Sequence, residues 1–175
     1  MRPLLLNLTT SLDGFIADAD GGIEWILPPS SDVPGDYLEL VATVDAFVMG
    51  RITYEVSLAL PGGMDLFRGK RVYVFTSRAD VQPHAGVEFI HEDPVEFVTA
   101  LKQQVGGTIW LFGGGQLATA LSSAGLVDEY LIAIQPVLLG EGIALWQGGG
   151  EQIRLEPVYA RTWPDGIVEL RYRRR

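Results

Sequence analysis

The chain has 175 residues, 47% of them hydrophobic and none of them cysteine, with 13 Lys plus Arg against 22 Asp plus Glu and a formal charge of −9. That length buries one full core and gives no reason to divide the chain into two domains. The acidic balance repels polyanions, so nucleic acid is not an expected partner, and the missing cysteines remove disulfides, thiolate metal sites and a thiol nucleophile while fitting a reducing compartment.

The first apolar run, Leu4 to Thr9, predicts a strand; the opening Leu4-Leu5-Leu6 stretch ends at Asn7, too short for a signal peptide or membrane span, and a cytoplasmic, non-membrane protein is the expectation. A turn follows at Asp13-Gly14, where Asp13 is either a functional carboxylate or a turn residue bonding its own backbone. Trp25 and Tyr37 either stack on a flat ring or pack in the core. A helix is predicted over Asp36 to Val44, then a strand over Ala46 to Met49 that runs through Gly50 and Arg51 into a helix from Thr53 to Leu60. Arg51 is a fixed cation suited to a phosphate, or a surface ion-pair partner.

The next strand, Val72 to Thr76, ends in Thr76-Ser77-Arg78, two hydroxyls and a guanidinium of the kind a 2′-phosphate takes; Asp80 is the competing partner for Arg78. After a strand at Val87 to Ile90, a helix over Pro94 to Val105 carries the best-marked ends, with Asp93 as its cap, Pro94 in its first turn and Gly106-Gly107 as its stop. A strand at Ile109 to Phe112 then meets Gly113-Gly114-Gly115 and a helix from Gln116 to Ala124. Glycines between a buried strand and a helix N-terminus either make a tight turn or let backbone N–H groups approach a pyrophosphate. The later glycine of a Rossmann fingerprint is absent.

Strand-like stretches Glu129 to Val137, Ile153 to Thr162 and Ile167 to Tyr172 finish the chain with no helix between them, an antiparallel close to a mostly parallel α/β sheet. Arg171, Arg173, Arg174 and Arg175 read as the solvated end of a strand. His84 and His91 have no partner at metal spacing, and no metal site is expected. The three glycine- or hydroxyl-bearing segments all fall at carboxyl ends of predicted parallel strands, where open α/β sheets bind ligands.

Met49-Gly50-Arg51-x-Thr53-Tyr54-Glu55, Thr76-Ser77-Arg78 and Gly113-Gly114-Gly115 resemble, in order and spacing, the NADPH-binding segments of dihydrofolate reductases. The stretch Thr10-Ser11-Leu12-Asp13-Gly14-Phe15-Ile16-Ala17, with Pro136-Val137-Leu138-Leu139-Gly140-Glu141-Gly142, narrows the resemblance to the riboflavin-biosynthesis reductase domain. It implies a single dihydrofolate-reductase-like domain over 1–175: a three-layer α/β fold with a mostly parallel central sheet and antiparallel C-terminal strands. It also implies a homodimer and an NADPH-dependent oxidoreductase reducing a C=N or C=O bond of a small pyrimidine- or pterin-like substrate, similar to 5-amino-6-(5-phosphoribosylamino)uracil reductase.

By analogy Gly50, Arg51 and Thr53 face cofactor phosphate, Thr76, Ser77 and Arg78 the 2′-phosphate, and Gly113, Gly114, Gly115, Gln116 and Leu117 the pyrophosphate and nicotinamide ribose, with Thr9 and Ile16 beside the nicotinamide. A proton must accompany the hydride, and Asp13 and Asp36 are the catalytic candidates. Trp25, Asp32 and Tyr37 are the substrate-binding candidates. Trp25-Ile26-Leu27-Pro28 resembles the segment preceding the pterin-binding acid of dihydrofolate reductases, but Ser30 stands where that acid is expected. A true dihydrofolate reductase and a non-catalytic nucleotide-binding module are the alternatives.

Overall fold

The computed structural model describes residues 1–27, 35–81, 84–148 and 152–175. In chain order its elements are β1 (Leu4–Thr10), β2 (Phe15–Ala17), α1 (Gly35–Thr43), β3 (Val44–Gly50), α2 (Arg51–Ala59), a 3-10 turn at Asp65–Phe67, β4 (Arg71–Phe75), β5 (Val87–Ile90), α3 (Pro94–Gln103), β6 (Thr108–Gly113), α4 (Gly115–Ser123), β7 (Glu129–Ile134), β8 (Ile143–Ala144), β9 (Leu155–Thr162) and β10 (Val168–Arg174). Eight strands form one sheet in the order β5-β4-β3-β6-β1-β7-β10-β9, and β2 pairs with β8 in a separate ribbon. The first six sheet strands run parallel, while β10 pairs antiparallel with both β7 and β9.

The three layers follow from side-chain alternation. Leu4 and Leu6 of β1, Ala46 and Val48 of β3, Tyr73 and Phe75 of β4, and Ile109 and Leu111 of β6 pack against Val98 and Leu101 of α3 and Leu117, Ala118 and Leu121 of α4. The intervening residues Phe47, Met49, Val72, Val74 and Trp110 face the other way, where Tyr54 of α2 and Tyr37 and Val41 of α1 meet them. A central parallel strand is buried on both faces, so it reads as an almost unbroken apolar run.

The predicted helices and sheet strands are all present, with ends shifted by at most three residues. Val44, expected as the last residue of α1, begins β3 instead, and the strand expected from Glu129 to Val137 stops at Ile134. Strands β2 and β8 have no counterpart among the sequence expectations. Their ribbon folds the segment after β1 back toward the start of α4.

Candidate functional site

The carboxyl ends of β3, β4 and β6 lie side by side. Met49 is the register partner of Gly113, and Gly50 that of Phe75. Helices α2 and α4 therefore start next to each other on one rim. Each begins from a glycine, Gly50 and Gly114, and neither start carries a side-chain hydrogen bond to its first turn. The N–H groups there stay available, with the partial positive charge of two helix ends behind them. Helix α3 differs: Asp93 accepts hydrogen bonds from Val95 N at 2.8 Å and Glu96 N at 3.1 Å.

The glycines have separable reasons. Gly113 sits at φ +130°, backbone that a side chain would strain. A Cβ on Gly50 would stand 3.8 Å from Gly114 N, and one on Gly114 would stand 3.4 Å from Thr53 Oγ1 and 3.9 Å from Ile16 Cδ1. Gly50, Thr53, Gly114 and Ile16 thus face a shared space. Gly115 answers to packing, since its Cβ would come within 2.5 Å of Ala144 O and 2.9 Å of Leu145 O on the β8 side. Gln116 is exposed, and the buried Leu117 side chain belongs to the core, which leaves only its backbone to the rim.

The charged groups of the rim are already paired. Arg51 Nη1 donates to Glu55 Oε2 at 2.5 Å. Arg78 grips Asp80 through Nε–Oδ1 at 2.8 Å and Nη2–Oδ2 at 2.5 Å, and this hydrogen-bonded guanidinium holds the Asp80 carboxyl down to about 2. The competing reading of Arg78 is thus the arrangement present. Both pairs are solvent-accessible, so water and salt screen them and neither holds its guanidinium strongly. Thr76 Oγ1 accepts from Arg78 N at 3.0 Å, which orders the turn, and Ser77 is exposed.

Asp13 and Asp36 are both engaged. Asp13 Oδ1 accepts from Ser11 Oγ at 2.6 Å and Leu139 N at 3.2 Å, and Oδ2 from Gly140 N at 2.8 Å. These bonds, the Ser11 hydroxyl first, hold its carboxyl below the usual aspartate range. They clasp the turn after β1 to the 137–140 segment. Asp36, in the first turn of α1, binds Arg161 of β9 at 3.1 and 2.5 Å, and the same guanidinium lowers its pKa. Trp25 Nε1 donates to Gly22 O at 3.2 Å, and Tyr37 packs with the α1–α2 face of the core. Asp32 and Ser30 lie outside the described residues.

A polar group on that same face has no counterpart among the sequence expectations. Thr9, Ala133, Glu169 and Arg161 stand in one row across β1, β7, β10 and β9. Glu169 is 4% exposed, and its Oε1 accepts from Tyr159 Oη at 2.8 Å and Arg161 Nε at 3.0 Å. Burial, then Glu169, pushes the Tyr159 phenol up to about 12. Hydrogen bonding to Asp36 is the main reason that the Arg161 pKa is raised. One row down, Asn7 is buried and its backbone O accepts from Trp110 Nε1 at 2.8 Å. The sequence signal was a lone acid at alternate spacing to Arg171 and Arg173, which pair with Glu129 and Glu156 and do resemble a solvated strand face.

A mostly parallel sheet with antiparallel closing strands and a glycine rim shared by two helix starts defines a dihydrofolate-reductase-like α/β protein. The chain belongs to the RibD C-terminal domain family, whose model matches residues 2–168. It is 36% identical over 146 residues to the uncharacterized protein YwjB of Bacillus subtilis (strain 168), covering 83% of each chain. In fold it is similar to a protein named for riboflavin biosynthesis from Shewanella sp. PV-4, with a TM-score of 0.82, 24% identity and coverage of 100% and 99%. It is similar also to the Enterococcus faecalis dihydrofolate reductase complexed with NADP(H), with a TM-score of 0.70, 21% identity and coverage of 98% and 96%. Among the described residues, no helix is long and apolar enough to cross a membrane.

Proposed function

We propose that the chain is an NADPH-dependent reductase of a small pyrimidine- or pterin-like substrate. The observation that carries this reading is the pair of adjacent, uncapped helix starts at Gly50 and Gly114, with Thr53 between them. Their N–H groups fit an anionic dinucleotide, because a phosphate takes the hydrogen bonds that a capping side chain would otherwise make. The reduced nicotinamide, when bound, supplies the hydride.

The chain's own part is binding and orientation. The Gly50 and Gly114 backbones and the Thr53 hydroxyl hold the diphosphate, Arg51 turns from Glu55 toward it, and Arg78 exchanges Asp80 for the 2′-phosphate. Thr9 at the end of β1 and Ile16 on β2 flank the ring, and the face of β1, β7 and β10 beneath α1 receives the substrate. Asp13 serves the same end indirectly, by clasping the loop that carries Ile16 to the 137–140 segment.

Titration of the protein with NADPH and NADH, followed by nicotinamide fluorescence, tests the reading. Saturable NADPH binding in the micromolar range supports it, and no saturable binding ends it. Arg78→Ala narrows the preference for NADPH over NADH; an unchanged ratio removes the assignment of the 2′-phosphate.

A further inference from the structure

A nicotinamide dinucleotide brings its phosphates to the rim, and any charge on the substrate must be met in the other half of the cleft. The cations of the chain are shared unevenly between the two. Of 13 Lys and Arg, three lie toward the carboxyl ends of the parallel strands: Arg51 and Arg78 on the rim, and Arg161 on β9. The other ten belong to the entries of β1 and β4, the last turn of α3, and the ends of β9 and β10 that lie level with the first half of β7. No Lys or Arg occurs between Arg2 and Arg51 or between Lys102 and Arg154, the stretches that carry β1 to β3 and β6 to β8. The first of these stretches holds eight acids.

Arg161 is therefore the cation left for the substrate half, and all three of its guanidinium nitrogens are in use. Nη1 and Nη2 donate to the two oxygens of Asp36 at 3.1 and 2.5 Å, and Nε lies 3.0 Å from Glu169 Oε1. Its guanidinium carbon also sits 4.4 Å over the Tyr159 ring. Glu169 is 4% exposed, and a buried carboxylate stripped of its cation is strongly disfavoured, so Arg161 stays in place when a ligand enters. The exposed Arg78 pair is under no such constraint. Two carboxylates against one guanidinium leave this cluster one net negative charge. Asp13, whose donors are a hydroxyl and two backbone N–H groups, adds a second uncompensated charge on the turn after β1.

We infer that the substrate of this chain is an uncharged heterocycle carrying no phosphate or carboxylate, and that the Asp36–Arg161–Glu169 cluster is the device that turns anionic relatives away. The inference rests on the reductase reading and narrows its substrate class. A phosphate brings roughly two negative charges at pH 7, and in a cleft with low-dielectric walls like charges repel far more than in water. The two halves of the cleft thus prefer opposite charges. The rim offers N–H groups and two exchangeable guanidinium groups to an anion, while the other half offers carboxylates and one guanidinium that is already shared. A phosphoribosyl substituent, such as that of 5-amino-6-(5-phosphoribosylamino)uracil, finds no free cation there.

Two pairs of probes share a ring and differ in charge: 6-hydroxymethylpterin against pterin-6-carboxylate, and uridine against uridine 5′-monophosphate. Each is titrated calorimetrically at pH 7 against the full chain saturated with NADP⁺, which keeps the anionic probes off the rim. At least one neutral probe binds, and at least tenfold more tightly than its charged partner. Asp36→Asn, which leaves one carboxylate for the guanidinium, shrinks that ratio at least threefold, and Glu169→Gln does the same. A charged probe that binds as tightly as its neutral partner, no binding of either neutral probe, or a ratio unchanged in both variants overturns the inference. Failure of NADP⁺ to bind overturns the cofactor reading instead, and the Asp36→Asn comparison, which leaves the glycine rim untouched, still decides this one. Asp36 is half exposed, so if Glu169→Gln does not fold, Asp36→Asn decides.

Discussion

Helices α3 and α4 both follow strands of the same sheet, yet their first turns are built differently. At α3, Asp93 accepts two backbone N–H groups; at α4, and likewise at α2, a glycine precedes the helix and no side chain closes the turn. A cap is worth about 1 kcal/mol, so stability alone favours one at every start. Its absence at the two helices whose starts adjoin, and its presence at the helix that follows the edge strand, separates a closed turn from two open ones, which on the proposed function are left free for a ligand.

The largest expected effect comes from making α2 resemble α3. Gly50→Asp has room, since nothing lies within 3.8 Å of the new Cβ, and φ −80° with ψ 158° is already cap geometry. The thermal midpoint holds or rises while NADPH affinity falls ten- to a hundredfold, because the carboxylate occupies the N–H groups and repels the phosphate. A midpoint rise with NADPH affinity intact breaks the comparison.

Next comes the pair of glycines at α4. Gly115→Ala drives a methyl into Ala144 O and Leu145 O and costs about 1–3 kcal/mol of unfolding free energy in urea. Gly114→Ala leaves the urea midpoint in place and weakens NADPH, because its Cβ meets only Thr53 and Ile16 at ordinary contact distance. Equal destabilisation by the two would erase the distinction between packing glycine and site glycine.

Asp93→Ala lowers stability by about 1 kcal/mol without moving NADPH affinity, since the cap at α3 serves only the helix. The smallest effect is at Asp80. Its carboxyl titrates at about 2 in the folded chain against an ordinary 3.8, so the Arg78 pair contributes above pH 3.8 and is lost as the pH falls through about 2. Asp80→Asn abolishes that acid-limb difference in melting temperature and tightens NADPH a few-fold by freeing Arg78. A melting difference as large at pH 2 as at pH 5 contradicts the pairing.

The rim was legible because its signals are local. Gly50-Arg51 and Gly113-Gly114-Gly115 each follow an apolar run, and a strand that ends in glycine before a helix has few other conformations. Asp93 and Pro94 marked α3 for the same reason. Asp80 stands two residues from Arg78, so the pair they form was visible in the sequence. Strands β2 and β8 were not legible, because segments of three and two residues show no periodicity. Asp13 showed its turn but not its clasp, whose donors lie 126 and 127 residues away.

The sequence by itself determined the layers and the rim, since alternation, caps and glycine turns act between neighbours in the chain. Tertiary structure alone decided that Glu169 is buried. An acid alternating with arginines near the end of a chain looks solvated, and its environment is set by α1, more than a hundred residues earlier, lying over the face that Glu169 shares with Thr9 and Asn7. Burial of a charged group depends on what packs above it and which cation it finds there, and neither is encoded in its own segment.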